Sequence, residues 1–191
     1  MSGNWLREER SDAASERILD AAGRLFVDRG VSGTTMAVVA REAGCSRATL
    51  YRYFDGRRSL HLAYVNREAR RIGLRVLAEA ATITDPRERV VEAVLMAIRE
   101  VRSDPNSAVW FRRGDAGVAA DVADSSEVID ALGSAFLADM GAGADTSRQA
   151  RWLVRVIVSL LTVPGIDEDD ERATLEQFVV PVIQDSIEKI G

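Results

Sequence analysis

Residues 34–60, TTMAVVAREAGCSRATLYRYFDGRRSL, read as two short helices joined by a tight turn. The first opens at Thr34 or Thr35 and carries Met36, Val39, Ala40 and Ala43 inward at helical spacing. Ala40 is small where two helices must cross closely. Gly44 supplies the positive φ that ends the helix and makes the turn. Ser46 is a good N-cap for the second helix, on which Leu50 and the following Phe54 fall on one side as anchors. Ser46, Arg47, Ala48, Thr49, Tyr51, Arg52 and Tyr53 are then left facing away from the anchors or near the helix start.

The pattern stays helical on both sides of this stretch, and nothing alternates cleanly enough to read as a strand. Upstream, a helix over Ser15–Arg29 places Ile18, Ala22, Leu25 and Phe26 on one face, with Gly30 as its left-handed stop. Residues 1–12 are expected to be a flexible arm. Downstream, a helix from Arg57 to about Ala81 is roughly 35 Å long, enough to connect a head to a body. The next begins with Asp85 as cap and Pro86 in its first turn, and ends before a Ser103–Asn106 turn. Trp110 and Phe111 sit in a short aromatic segment. A helix over Ser126–Met140 and a Gly/Ala linker over Gly141–Asp145 follow.

The Arg148–Val163 helix is apolar except for a stripe at Arg151, Arg155 and Ser159, so it must be covered on more than one side. The last helix, Asp170–Lys189, carries Leu175, Phe178, Val179, Val182, Ile183, Ile187 and Ile190 at inward spacing, with a kink expected at Pro181. The fold class is therefore all-α. A three-helix head over residues 13–56 precedes an antiparallel helical body over 57–191.

Composition narrows the function. A chain of 191 residues with 47% hydrophobic and 29% charged residues has the balance of a globular protein. The net charge of −5 is unevenly spread. Residues 1–71 hold 13 arginines and nine acids, a charge of +4, whereas 72–191 hold 12 cations and 21 acids, a charge of −9. A basic head on an acidic body suits a nucleic-acid reader. No apolar run approaches the roughly 18 residues of a membrane span, and residues 1–12 are too charged for a secretory signal. A cytoplasmic location is expected. Cys45, the single cysteine, reads as a packing residue, and His61 is the only histidine. The acidic run Asp167–Glu171 lacks the central glycine of a calcium loop and reads as support for the last helix's N-terminus. Neither a metal nor another cofactor is expected. Without a phosphate-binding glycine loop or a paired nucleophile and base, an enzyme is not expected either.

The outward residues of the second helix have the chemistry of a DNA surface. Arginine bonds guanine in the major groove, and threonine offers a hydroxyl and a methyl. Tyrosine hydroxyls donate to phosphates, and a recognition helix reads bases mainly with its first residues. Thr35, Val39-Ala40, Ala43-Gly44, Ser46, Thr49-Leu50-Tyr51, Tyr53-Phe54 and Leu60 after two arginines together resemble the TetR family of transcriptional regulators. The resemblance runs from Ile18 to Leu60. Arg57 stands where the family usually has lysine, and Cys45 where it has a small apolar residue.

The resemblance implies a sequence-specific regulator, usually a repressor, that binds double-stranded DNA as a homodimer and responds to a small molecule. On this basis Thr34, Thr35, Ser46, Arg47, Ala48, Thr49, Tyr51, Arg52, Tyr53 and Arg57 are the candidate DNA contacts. Trp110, Phe111, Phe136, Met140 and Trp152 are candidate ligand-pocket residues. Trp152, Val156, Leu160, Phe178 and Val182 are candidate dimer contacts on the last two helices. The rival reading is a helical interaction or ligand-carrier module without DNA binding.

Overall fold

The computed structural model describes residues 5–141 and 146–187, with side chains described over 11–141 and 146–183. Among the described residues every regular element is helical. The head comprises α1 (Trp5–Arg29), α2 (Met36–Glu42) and α3 (Arg47–Tyr53). The body follows with α4 (Arg57–Ala80), α5 (Pro86–Ser103), α6 (Pro105–Ala108), a 3-10 turn (Val109–Phe111) and α7 (Ala116–Asp124). It is completed by α8 (Glu127–Asp139), α9 (Thr146–Thr162), α10 (Glu168–Phe178) and α11 (Val180–Ile187).

Local signals place most boundaries. Gly30 takes φ +77° after α1. Asp85 accepts the amides of Arg87 and Glu88 at 2.8 and 2.9 Å, with Pro86 at the first position of α5. Ser126 caps α8 through the amide of Ile129. The acidic run does support α10: Asp167 accepts the amide of Asp170 at 2.9 Å, and Asp170 in turn accepts that of Ile166 at 3.0 Å.

Four features depart from the sequence reading. α1 starts at Trp5 rather than Ser15, so residues 5–12 are helical and not a flexible arm. That segment is rich in the good helix formers Leu, Arg and Glu, but lacks the apolar period that marks a packed face. The expected turn at Ser103–Asn106 closes into α6, whose cap is Asp104. α7 was not anticipated. The single last helix is two, broken at Val179 (φ −100°), two residues before Pro181. A proline at 181 gives no N–H to the Gln177 carbonyl and crowds it, so the α-helical ladder stops there and restarts. Residues 142–145 of the expected linker and the side chains of Ile187 and Ile190 lie outside the described residues.

Two hydrophobic clusters hold the molecule together. The first joins Ile18, Leu25, Phe26, Val39, Leu50 and Phe54 of the head region to Leu60 and Tyr64 on α4, and also to Val109, Trp110, Ala119 and Val122 of the body. The second gathers Val90, Val94 and Ile98 of α5 with Phe136, Leu137, Leu153, Leu175 and Ile183. α4 runs through both.

Candidate nucleic-acid interface

The turn between α2 and α3 is built from backbone alone. The amide of Cys45 donates to the Ala40 carbonyl at 2.9 Å and that of Gly44 to the Arg41 carbonyl at 3.2 Å. With Gly44 at φ +67° this is a Schellman closure. In it, Cys45 takes the position whose side chain packs back on the helix, and it is half-buried against the head core. Ser46 then starts α3: its Oγ accepts the Thr49 amide at 3.0 Å and lies 2.9 Å from Thr49 Oγ1. Leu50 and Phe54 are buried beneath.

This scaffold leaves most of the candidate residues open to solvent. Thr35, Ser46, Arg47, Ala48, Tyr51 and Arg52 are exposed, and Thr49 and Tyr53 are half-buried. Arg52 lies over the Tyr53 ring, 5.3 Å from its centroid, which holds both side chains on the same side. Among the described residues neither Arg47 nor Arg52 pairs with a carboxylate. Arg24, on α1, is by contrast paired with Glu42 at 3.3 Å.

Two of the expected contacts hold the protein's own backbone, and of these Thr34 is buried while Arg57 stays exposed. Thr34 is 2% exposed, and its hydroxyl donates to the carbonyls of Gly30 at 2.9 Å and Leu25 at 3.3 Å. It closes the α1–α2 loop and leaves the DNA-facing set. Arg57 sends its Nη2 to the carbonyls of Val31, at 3.1 Å, and Ser32. Its guanidinium therefore grips that same loop, which gives an arginine in the family's lysine position a structural role.

The loop is gripped from the body as well. Asp115, buried ahead of α7, accepts the amides of Ser32 at 2.8 Å and Val31 at 3.2 Å. These bonds favour the ionised form. They hold its carboxyl below the usual carboxylate range against the opposing pull of burial. Arg112 reaches the Val27 carbonyl at 3.3 Å, and Arg58 reaches Ser125 at 2.7 Å. Nothing in the local sequence announces Asp115, which acts 83 residues from Ser32.

Behind the loop lies an aromatic cluster. Phe26 stands edge-on to His61, Tyr64 and Trp110, at 5.5, 5.1 and 5.3 Å between centroids. His61 is buried with its Nε2 unpartnered, and burial, with help from Arg57, lowers its pKa to about 4.

Trp110 and Tyr64 also line a cavity of about 240 Å3 formed mainly by α4, α5, α8 and α9. Phe111 and Phe136 line it as expected, but Met140 and Trp152 do not; both instead pack against the second core cluster. The sequence reading missed the α4 lining, where Gly73 sits so close to Leu132 of α8 that a Cβ would approach it to 2.7 Å. A mid-helix glycine at a cost of about 1 kcal/mol was the available signal. Of the candidate dimer contacts, Phe178 and Val182 are 61% and 50% exposed. Trp152, Val156 and Leu160 are instead half-buried against the second cluster.

Comparison with known proteins agrees with this architecture. Residues 18–64 match the family model described as bacterial regulatory proteins, tetR family. An uncharacterised HTH-type transcriptional regulator of Mycobacterium tuberculosis is 46% identical over 182 residues, 94% of this chain and 90% of the relative. The TetR family repressor AlkX from Dietzia sp. strain DQ12-45-1b superposes with a TM-score of 0.65 at 23% identity, over 91% of this chain and 96% of its own. RolR in complex with resorcinol does so at 0.68 and 16%, over 95% and 96%. At these identities the two structures speak for the fold alone. The match to a helix-turn-helix regulator along almost the whole chain, together with the head built around α2 and α3, shows that this protein belongs to the TetR family of transcriptional regulators.

Proposed function

We propose that this regulator is a ligand-responsive repressor that binds a palindromic operator as a homodimer, reading bases with Arg47, Ala48 and Thr49 from the start of α3. The observation that carries this reading is the exposed α3 face, on which Arg47 and Arg52 have no carboxylate partner among the described residues. An arginine kept free of internal ion pairs is available to guanine or phosphate. Thr35, Ser46, Tyr51 and Tyr53 surround it as hydroxyl donors to the DNA backbone. The exposed apolar side chains Phe178 and Val182 support a dimer through the last helices. Two-fold pairing would set the reading helices about 34–36 Å apart, one turn of DNA. The body cavity supports an effector that favours a dimer with a different head spacing, and resorcinol bound to RolR is a neighbour's instance of a ligand.

Selection of bound sequences from a random DNA pool tests the reading. The expected product is a palindrome whose enrichment disappears when Arg47 and Thr49 are both replaced by alanine. No enrichment at low salt from a folded dimer overturns it in favour of the interaction module.

A further inference from the structure

Asp115 stands at the N-cap of α7 and does not cap it. Its carboxylate accepts none of that helix's first amides, whereas Asp85, Asp104, Ser126 and Asp167 each accept an amide of the helix they open. An aspartate at this position ordinarily serves its own helix. This one, 6% exposed, is committed across the seam between body and head, to the amides of Val31 and Ser32. Arg57 of α4 takes the carbonyls of the same two residues. All four backbone polar groups of that dipeptide are thus held by side chains of the body.

The dipeptide is tied just as firmly into the head. The Thr34 amide donates to the Val31 carbonyl at 3.2 Å, and the Thr34 hydroxyl to the carbonyls of Gly30 and Leu25. Thr35 then opens α2. The rest of the seam constrains angle less. Phe26 meets Tyr64 and Trp110 through apolar contact, which has no preferred direction. Arg67 reaches Glu16 and Asp20 of α1, but those carboxylates are 58% and 59% exposed, where ion pairs hold weakly. The bonds of a buried carboxylate have set distances and angles and are strengthened by its charge.

We propose that Asp115 is a positioning residue for operator recognition: by holding Val31 and Ser32 it fixes the angle of the head on the body, and so sets which spacing of half-sites the dimer accepts. This rests on the two-half-site reading above. One base pair added at the centre of a palindrome separates the half-sites by about 3.4 Å more and turns them by about 35°. A fixed head rejects that change, and a loosened head follows it.

Fluorescence anisotropy of the full chain on three duplexes tests this: the palindrome obtained by selection, the same palindrome with one central base pair added, and a single half-site. The wild type is expected to prefer the selected spacing at least about 30-fold. In Asp115→Asn one acceptor becomes a donor facing an amide. The preference should fall at least about 5-fold there, with half-site affinity within about 2-fold of the wild type. A merely structural defect would weaken half-site and palindrome together. An unchanged preference in the folded variant, or a loss shared equally by the half-site, overturns the proposal. Hydrogen exchange on the wild type decides the matter should the variant fail to fold. Ser32 is exposed, so slow exchange of its amide is expected from the Asp115 bond, and exchange as fast as a free loop amide overturns the proposal. Wild-type protein that binds the palindrome no better than the half-site fails the two-half-site reading itself. One that binds it better but accepts both spacings equally fails only this proposal.

Discussion

At the scale of single residues, His61 links acidity to the stability of the head. It is buried among Phe26, Tyr64 and Trp110 with an unpartnered Nε2, and is held neutral by a pKa lowered from 6.5 to about 4. In the unfolded chain the imidazole takes a proton near pH 6.5, whereas the folded chain refuses it until about pH 4. Unfolding therefore takes up a proton in that window, and stability falls as pH drops through it, by up to about 3 kcal/mol. Thermal unfolding from pH 7 to pH 4 should show this decline, and His61→Phe should flatten it. A slope unchanged in the variant would assign the acid sensitivity to carboxylates. Asp115 contributes lower down: its depressed pKa means its stabilisation is complete above the ordinary carboxylate range and lost only as pH falls through the folded value.

Among the elements, α10 shows what one buried ion pair does. Glu171 is buried and receives Arg102 of α5 at 2.9 and 2.7 Å, along with the amide of Gly165 at 2.9 Å. Arg102 also reaches the Leu160 carbonyl at 3.0 Å, so one contact fastens α10 to α5 and to the end of α9. Glu171→Ala should lower the free energy of unfolding by about 2–3 kcal/mol in denaturant titrations. That is less than for a fully buried pair, because Arg102, 38% exposed, can rehydrate. The sequence displayed caps and stops well. Gly30, Gly44, Ser46, Asp85 and Ser126 each act within a few residues of themselves, and the elements they bound lie close to where the sequence places them. What it concealed depends on distant partners. Thr34 looks like an exposed hydroxyl until the Leu25 and Gly30 carbonyls surround it. Met140 and Trp152 have the chemistry of pocket residues but face the second core. α7, whose short apolar pattern has little polar contrast, is defined by the aromatic cluster it covers.

For the whole molecule, the exposed apolar end and the reading head must cooperate if two half-sites are to be read together. Phe178→Glu places a charge on the patch at Phe178 and Val182 without touching either core cluster. It is expected to give a folded monomer by light scattering, with operator affinity reduced at least about 100-fold through loss of the second half-site. A dimer that persists in this variant would move the interface elsewhere. The first core cluster has a wider consequence. Phe26, Leu50 and Phe54 share it with Val109, Trp110, Ala119 and Val122, so no cut through the chain near residue 56 leaves an intact interior on either side. Such a protein cannot be traded between genes as two halves. The outer residues of α3 are free of that constraint: Leu50 alone of this helix is buried, so the others can be exchanged while the shared interior stays the same.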